Sequence, residues 1–289
     1  MTDDDRSAAM TNPPAAGTVL VTGASRGIGR ATALLFEERG WNVVATMRRP
    51  EDEQELGDLD RVLVTRLDVT DSGSITAAVR AGVERFGGID VLVNNAGYGV
   101  YGPLEATPMD TVRRLFDTNV IGLLETTKAV LPLFRARRSG VIVNLSSVGG
   151  RMTFPLGTLY HGSKFAIEGA SEALSFELAE VGVRVKIVEP GVVRTDFGRT
   201  MDIPNDERLV EFQEIIRNVF TAFAPITEQA AEPALVAEVI YRAATDGTDQ
   251  LRYLAGPDAE ETIARREAQD DQTFLAGIRD QFVRGDDPA

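Results

Sequence analysis

The sequence predicts a doubly wound α/β protein in which one parallel sheet of about seven strands carries helices on both faces. Three observations predict it. From Thr18 onward, short apolar runs rich in β-branched residues alternate with longer segments of helical period. A glycine-rich turn stands directly between the first strand-like run and the first helix-like one. No linker, compositional break or internal repeat interrupts the chain between Thr18 and Leu254, so a single domain over 18–289 fits better than two.

Strands are expected at 18–22, 42–46, 62–67, 91–94, 141–145, 183–188 and 251–254. Between them, Ile75, Val79, Val83 and Phe86 recur every three or four residues and share one face of a helix over 72–86. The next helix has a readable start. Thr107 serves as N-cap, Pro108 suits the first turn, and Asp110 completes an arrangement like a capping box. It should run to about Arg137, with Pro132 kinking it or ending it early. Residues 192–233 break the rhythm and form an insertion before the last strand. Residues 258–283 are charged and weakly periodic, which predicts a peripheral helix or two over the substrate mouth or a subunit contact. Residues 1–17, acidic and proline-bearing, lack the basic start and apolar run of a secretory signal and read as a disordered tail on a cytoplasmic protein.

Composition excludes several chemistries. A net charge of −14 repels a phosphate backbone, so nucleic acid is not an expected partner. No stretch approaches the roughly 20 apolar residues of a membrane span. With no cysteine and only His161 as histidine, thiolate ligands, a cysteine nucleophile and any two-histidine metal site are excluded, and no metal is expected. Oxygen and amine groups must carry the chemistry.

The turn after the first strand reads Thr22-Gly23-Ala24-Ser25-Arg26-Gly27-Ile28-Gly29 and opens a helical run. Glycines there permit a tight turn, let backbone N–H groups approach a pyrophosphate and allow close helix-to-strand packing, while the helix start favours negative charge. A glycine cluster alone would mean only a tight turn. Its place at the first βα turn makes it the dinucleotide fingerprint of a Rossmann fold.

The Gly-x-x-x-Gly-x-Gly spacing resembles the short-chain dehydrogenase/reductase family in its single-domain branch. Asp68-Val69 after the third strand is similar to the family's adenine-contacting pair, and Asn94-Asn95-Ala96-Gly97 to its Asn-Asn-Ala-Gly motif. The resemblance implies that Asn95 helps fix the sheet edge while Ala96 and Gly97 border the cofactor. Past the second strand stand Met47, Arg48 and Arg49, with no acid at the strand tip to hold a ribose 2′-hydroxyl. Arg48 and Arg26 can form a guanidinium clamp on a 2′-phosphate, which favours NADP(H). As solvated surface charge they would carry no such meaning, and one of Glu51, Asp52 and Glu53 could reach the ribose instead, so NAD(H) stays possible.

Tyr160 and Lys164 stand four residues apart in a helical segment and share a face. A phenol titrates near 10, too high for a base at neutral pH, but a neighbouring ammonium and the nicotinamide cation both favour phenolate, and the pair can act as general acid and base. Tyr-x-x-x-Lys alone is a common surface spacing. Ser147, thirteen residues before Tyr160, matches the family's spacing and could bond the substrate oxygen. Ser146 competes for that role and could instead bond backbone at the strand end. Asn119 matches the family's helix asparagine, which the resemblance implies supports a water beside Lys164; otherwise it is an ordinary buried helix amide. Pro190 and Gly191, with Val193 and Thr195 after them, match positions that the resemblance places against the nicotinamide. His161 points away around the helix and reads as a packing or interface residue.

Leu209, Phe212, Ile215, Ile216, Val219, Phe220 and Phe223 recur at helical spacing in the insertion. That face lines an apolar substrate pocket and moves as a lid, or it packs on the domain or on a second subunit. Ser147-Val148-Gly149-Gly150 and the segment from Tyr160 to Gly169 are similar to the 17β-hydroxysteroid and retinol dehydrogenase branch. The expected function is therefore an NADP(H)-dependent oxidoreductase acting on an apolar carbonyl or secondary alcohol, as a homo-oligomer (dimer or tetramer). Two other readings differ in class: a non-catalytic NADP-binding sensor or scaffold, and a sugar epimerase or dehydratase that retains its cofactor.

Overall fold

The structure is a computed structural model and describes residues 16–284. Its sheet is formed by β1 (Thr18–Val21), β2 (Asn42–Met47), β3 (Val62–Arg66), β4 (Val91–Asn94), β5 (Gly140–Leu145), β6 (Val183–Pro190) and β7 (Arg252–Ala255). All six pairings are parallel, in the order β3-β2-β1-β4-β5-β6-β7. Chain order reverses between β1 and β4, which is where open α/β sheets leave a crevice beyond their carboxyl ends.

Period two decides what each strand residue touches. Val19, Val21, Val43, Ala45, Val91 and Val93 face one core, together with Phe36 of α1 (Gly27–Glu38) and Val236 and Ile240 of α7 (Pro233–Thr245). The intervening Leu20, Val44, Leu92 and Ile142 face the other core. There they meet Ile75 and Val79 of α2 (Ser72–Phe86), Phe134 of α4 (Gly122–Arg137) and Leu178 of α5 (Thr158–Ala179). Both faces are apolar because both are covered, the pattern of a buried parallel sheet.

The expected cap at Thr107 is not formed. Thr107 ends a short 3-10 turn, and its hydroxyl donates to the Pro103 carbonyl at 2.9 Å. Pro108 is itself the cap of α3 (Met109–Phe116), without a side-chain bond. The expected helical run to Arg137 is present from Met109, with a π turn at Asp117–Ile121 dividing α3 from α4 while the backbone stays helical across both junctions, and α4 continues through Pro132. The expected tail over 1–17 lies outside the described residues for 1–15. Ala16 and Gly17 do not belong to it, since Ala16 N donates to Gly40 O at 3.0 Å and Asn42 N to Gly17 O at 2.8 Å.

A third cluster joins the insertion to the C-terminal segment. Ile215, Val219 and Phe223 of α6 (Val210–Glu228) pack on Phe274 and Ile278 of α9 (Asp271–Arg279) and on Phe282. In α8 (Pro257–Glu267), Ala259 and Ile263 pack on Val148.

At the end of β6 an ionic knot is buried. Glu189 faces Glu168 of α5, and its Oε1 accepts from Arg151 Nη1 at 3.3 Å and lies 3.5 Å from Arg252 Nε. Arg252 Nε donates to Glu168 Oε2 at 3.0 Å. The second oxygens, Glu168 Oε1 and Glu189 Oε2, are buried without a partner. Burial, with the Glu168 charge adding to it, pushes the Glu189 carboxyl up from 4.5 to about 7. A carboxyl raised in the folded state holds a proton that the unfolded chain has released, so its contribution is full below about pH 4.5 and is lost as pH rises through 7. Glu189→Gln should remove that dependence. Thermal melts from pH 5 to 8 are expected to show the variant gaining on the parent as pH rises; parallel curves would contradict the assignment.

Candidate active site

The turn from β1 into α1 is held open by a neighbouring strand. Asn95, just past β4, donates its amide to the Thr22 carbonyl at 2.8 Å and to the Gly23 carbonyl at 3.1 Å. The Thr22 hydroxyl in turn accepts from the Asn95 and Ala96 N–H groups at 2.9 and 3.0 Å. Gly23 and Gly27 have φ of 68° and 55°, in the left-handed region that glycine alone enters freely. Arg26 caps α1 without a side-chain hydrogen bond, so the first-turn N–H groups around Gly27, Ile28 and Gly29 keep their donating capacity. Exposed Ser25 and Arg26 flank them, and the Thr195 methyl lies over Gly27. Uncapped donors at a helix start, approached closely by backbone, suit a pyrophosphate.

Arg48 is exposed at the tip of β2. Two of the three competing acids are engaged locally: Glu53 Oε1 accepts from Arg30 Nη1 at 3.0 Å and from Leu56 N at 2.9 Å, and Asp52 pairs with Arg49 at 3.1 Å, while Glu51 is exposed. After β3, Asp68 Oδ1 accepts from the N–H and hydroxyl of Thr70 at 3.0 and 2.8 Å, and Val69 is packed against the Gly122 backbone at the start of α4.

Tyr160 and Lys164 lie in the first two turns of α5. Lys164 Nζ donates to the Leu145 carbonyl at 2.8 Å and stands 5.8 Å from the centre of the Tyr160 ring. Ser147 Oγ accepts from Gly149 N at 3.0 Å and lies 3.4 Å from Pro190 O. The next residue back points elsewhere: Ser146 Oγ is buried without a partner, in the space between Gly150 and Glu168. Of the two serines, Ser147 is the one whose hydroxyl acts on the phenol, holding it down against burial. Asn119 sits inside the π turn. Its amide donates to Tyr98 O at 2.9 Å and to Ser163 Oγ at 3.1 Å, and Ser163 Oγ donates to the Tyr160 carbonyl at 2.7 Å. The Asn119 oxygen accepts from Tyr98 N at 3.1 Å, and Gly97 lies within reach of the same amide.

The electrostatics differ from the sequence expectation. Burial pushes the Tyr160 phenol up to about 12, opposed by Ser147, in place of the expected lowering by Lys164. Burial also brings the Lys164 ammonium down to about 8, with Glu168 one turn along α5 pulling it back. His161 is buried. Its Nδ1 lies 2.9 Å from Gly149 O, and its Nε2 accepts from Phe154 N at 3.0 Å, which makes Nδ1 the protonated nitrogen. Burial holds it neutral down to about pH 4, a structural tie between two loops.

Sequence reasoning missed the residues that wall the phenol. The Tyr101 and Phe197 rings stand 5.5 and 5.7 Å from the Tyr160 ring. The Phe197 segment is stitched over the site by Asp202 N to Gly99 O at 3.0 Å and Tyr101 N to Asp202 O at 3.0 Å. Two aromatics after the Asn-Asn-Ala-Gly turn were a usable signal; Phe197 offered none, being far away in sequence. A cavity of about 420 Å³ lies outside the His161 loop and is lined by Phe154, Leu156, His161 and Phe165, but by none of Ser147, Tyr160 and Lys164. Its position makes it a surface feature beside the site.

A Cβ on Gly29 would overlap the Gly23 carbonyl and the Asn95 amide. Gly29→Ala should therefore cost about 1–3 kcal/mol of stability by overpacking and remove dinucleotide binding, read by thermal melts and by NADPH fluorescence titration. Wild-type affinity in a folded variant would show that the cradle tolerates the shift.

Comparison with known proteins agrees with this geometry. A family model described as short chain dehydrogenase matches residues 17–206. An uncharacterized oxidoreductase of Schizosaccharomyces pombe is 46% identical over 236 residues, covering 82% of this chain and 99% of that one. Human 17-beta-hydroxysteroid dehydrogenase type 1 is 35% identical over 251 residues, covering 81% of this chain and 76% of that one. A crystal structure of a short chain dehydrogenase from Burkholderia cenocepacia in complex with NADP superposes with a TM-score of 0.72 at 27% identity, over 91% of this chain and 98% of that chain. With a seven-stranded parallel sheet, a glycine turn braced by Asn95 and a family match over most of its length, the chain belongs to the short-chain dehydrogenase family.

Proposed function

We propose that the chain is an NADP(H)-dependent oxidoreductase that interconverts an apolar carbonyl compound and its secondary alcohol, with Tyr160 as the proton-transfer group. The observation that carries this reading is the gathering of a phenol, a serine hydroxyl that acts on it and a buried ammonium 5.8 Å from its ring, in a fold whose first helix opens on an uncapped glycine turn. NADPH, when bound, supplies the hydride. Ser147 holds the substrate oxygen beside Tyr160 Oη. Tyr160, whose burial keeps it protonated up to about 12, is in the form that donates to that oxygen during reduction. Lys164 is held by Leu145 O, and its cation favours the phenolate that donation leaves behind. Asn119 orders Tyr98 and, through Ser163, the first turn of α5.

The residues that would hold the cofactor are Gly23, Ser25, Arg26, Gly27, Ile28 and Gly29 for the phosphates, Arg48 for a 2′-phosphate, and Asp68, Val69 and Asn95 to Gly97 along the strand ends. Pro190, Gly191, Val193 and Thr195 would flank the nicotinamide. The engagement of Glu53 and Asp52 elsewhere, with Arg48 exposed, supports the phosphorylated dinucleotide. The NADP bound in the Burkholderia structure supports it too. Tyr101 and Phe197 support an apolar substrate, because two aromatic rings beside the phenol reward apolar groups next to the reacting carbon. The Phe197 segment, not the apolar face of α6, is the lid in this reading. No helix among the described residues is long and apolar enough to cross a membrane. Within this proposal the enzyme is cytoplasmic, and Phe165 and Phe176, exposed on α5, suit a homo-oligomer contact.

Two variants test the reading. Tyr160→Phe should keep the melting temperature and NADPH affinity while losing roughly a hundredfold or more of turnover, the scale of a positioned acid; near-normal activity over a panel of aldehydes, ketones and secondary alcohols would sink it. Arg48→Ala should raise KM for NADPH by about tenfold, the scale of one charged hydrogen-bonded contact, and leave NADH unchanged. Better use of NADH than NADPH by the parent enzyme would reverse the cofactor choice.

A further inference from the structure

The Pro190-Gly191-Val192 turn is governed from the C-terminal segment. Asp258, in the first turn of α8, accepts the Val192 N–H on Oδ2 at 2.7 Å, and this carboxylate lies so close over Gly191 that a Cβ there would overlap both of its oxygens. Gly191 N is itself 3.4 Å from Ala255 O, at the long end for a hydrogen bond, so Asp258 supplies the shorter of the bonds to the Gly191 and Val192 N–H groups, while the Val192 carbonyl accepts from Ala231 N at 2.9 Å. A carboxylate suits this position for two reasons. The helix dipole favours negative charge at a helix start, and a charged acceptor makes a shorter and stronger bond than a carbonyl.

The same helix also bears on the serine turn. Ala259 and Ile263, both buried, pack on Val148, next to Ser147, and Glu267 at the end of α8 takes Arg151 Nη2 at 2.8 Å. Ser147 Oγ and Pro190 O are 3.4 Å apart. One helix thus touches the two loops whose relative position sets where the substrate oxygen and the nicotinamide would meet. Burial alone accounts for Ala259 and Ile263. It does not account for a carboxylate placed on a glycine that has room for nothing else.

We propose that Asp258 is a positioning residue for cofactor use: its carboxylate fixes the Gly191–Val192 peptide, and through it the surface that receives the nicotinamide end of the dinucleotide. This role rests on the NADP(H) reading. The experiment compares Asp258→Ala, Asp258→Ser, Asp258→Asn and, as a control on the same helix turn, Glu260→Gln. Melting temperature, NADPH affinity by fluorescence titration and exchange protection of the Val192 amide are measured for each, together with the face specificity of hydride transfer from NADPH deuterated on one side.

Asp258→Ala should weaken NADPH binding by at least about tenfold, the loss expected for a hydrogen bond to a charged acceptor, expose the Val192 amide to exchange and relax face specificity. Asp258→Ser, too short to reach Val192, should do the same and serves if the alanine variant does not fold. Asp258→Asn keeps an acceptor and should recover most of the affinity; Glu260→Gln should match the parent. If the parent binds NADPH and folded Asp258→Ala or Asp258→Ser binds it equally well with unchanged face specificity, the positioning role is overturned. A parent that binds neither NADPH nor NADH overturns the cofactor reading itself, and the role of Asp258 with it.

Discussion

The Asn95 amide, bonded to the Thr22 and Gly23 carbonyls, is the interaction on which the rest of the site depends. Parallel pairing of β1 with β4 ends at Val21 and Val93, and beyond that point no ladder keeps the two chains together. Asn95 continues the pairing by side chain for two more carbonyls. Thr22 reciprocates by accepting from Asn95 and Ala96. Because the reversal of strand order falls between these same two strands, the bond holds the crevice at the width at which α1 presents its uncapped donors. A strand edge becomes a cradle through one amide.

Much of this was legible in the sequence, for a physical reason. A strand covered on both faces must be apolar at nearly every position, so each of the seven stood out as a short β-branched run, and Val91–Asn94 and α2 agree with the expected bounds residue for residue. The glycine turn was legible because its φ values need glycine. What was illegible is non-local or irregular. The π turn that carries Asn119 has no sequence signature distinct from an α-helix, and so 107–137 read as one helix. Thr107 carries the right residue type for a cap, but its hydroxyl is spent on Pro103. Phe197 and Asp258 act on residues that are near in space and remote in the chain, as in the Val192–Asp258 bond at a separation of 66.

The choice between Ser146 and Ser147 shows how strand geometry resolves what spacing leaves open. The chain is still extended at Ser147, with φ −172° and ψ 162°, so adjacent side chains leave on opposite sides. Ser147 turns toward Gly149 N and Pro190 O and acts on the Tyr160 phenol, and Ser146 turns toward Gly150 and Glu168. A one-residue slip in the pairing of β5 with β6 would exchange them. The register from Gly140↔Val183 to Leu145↔Val188 thus bears on the proposed chemistry as much as on the fold.

Burial acts in opposite senses on the groups gathered here, and that divides their roles. It raises Tyr160, lowers Lys164 and lowers His161, because each is pushed toward its neutral form. His161 meets its needs with Gly149 O and Phe154 N, both backbone groups, and gains nothing from a charge. Lys164 has one backbone acceptor and a carboxylate one turn away, so its cation retains support in a place that otherwise disfavours it. A neutral phenol next to a marginal cation is a pair in which moving one proton changes the stability of the other group. The proton transfer proposed for Tyr160 draws on such a pairing, and a histidine locked between two backbone partners does not offer one.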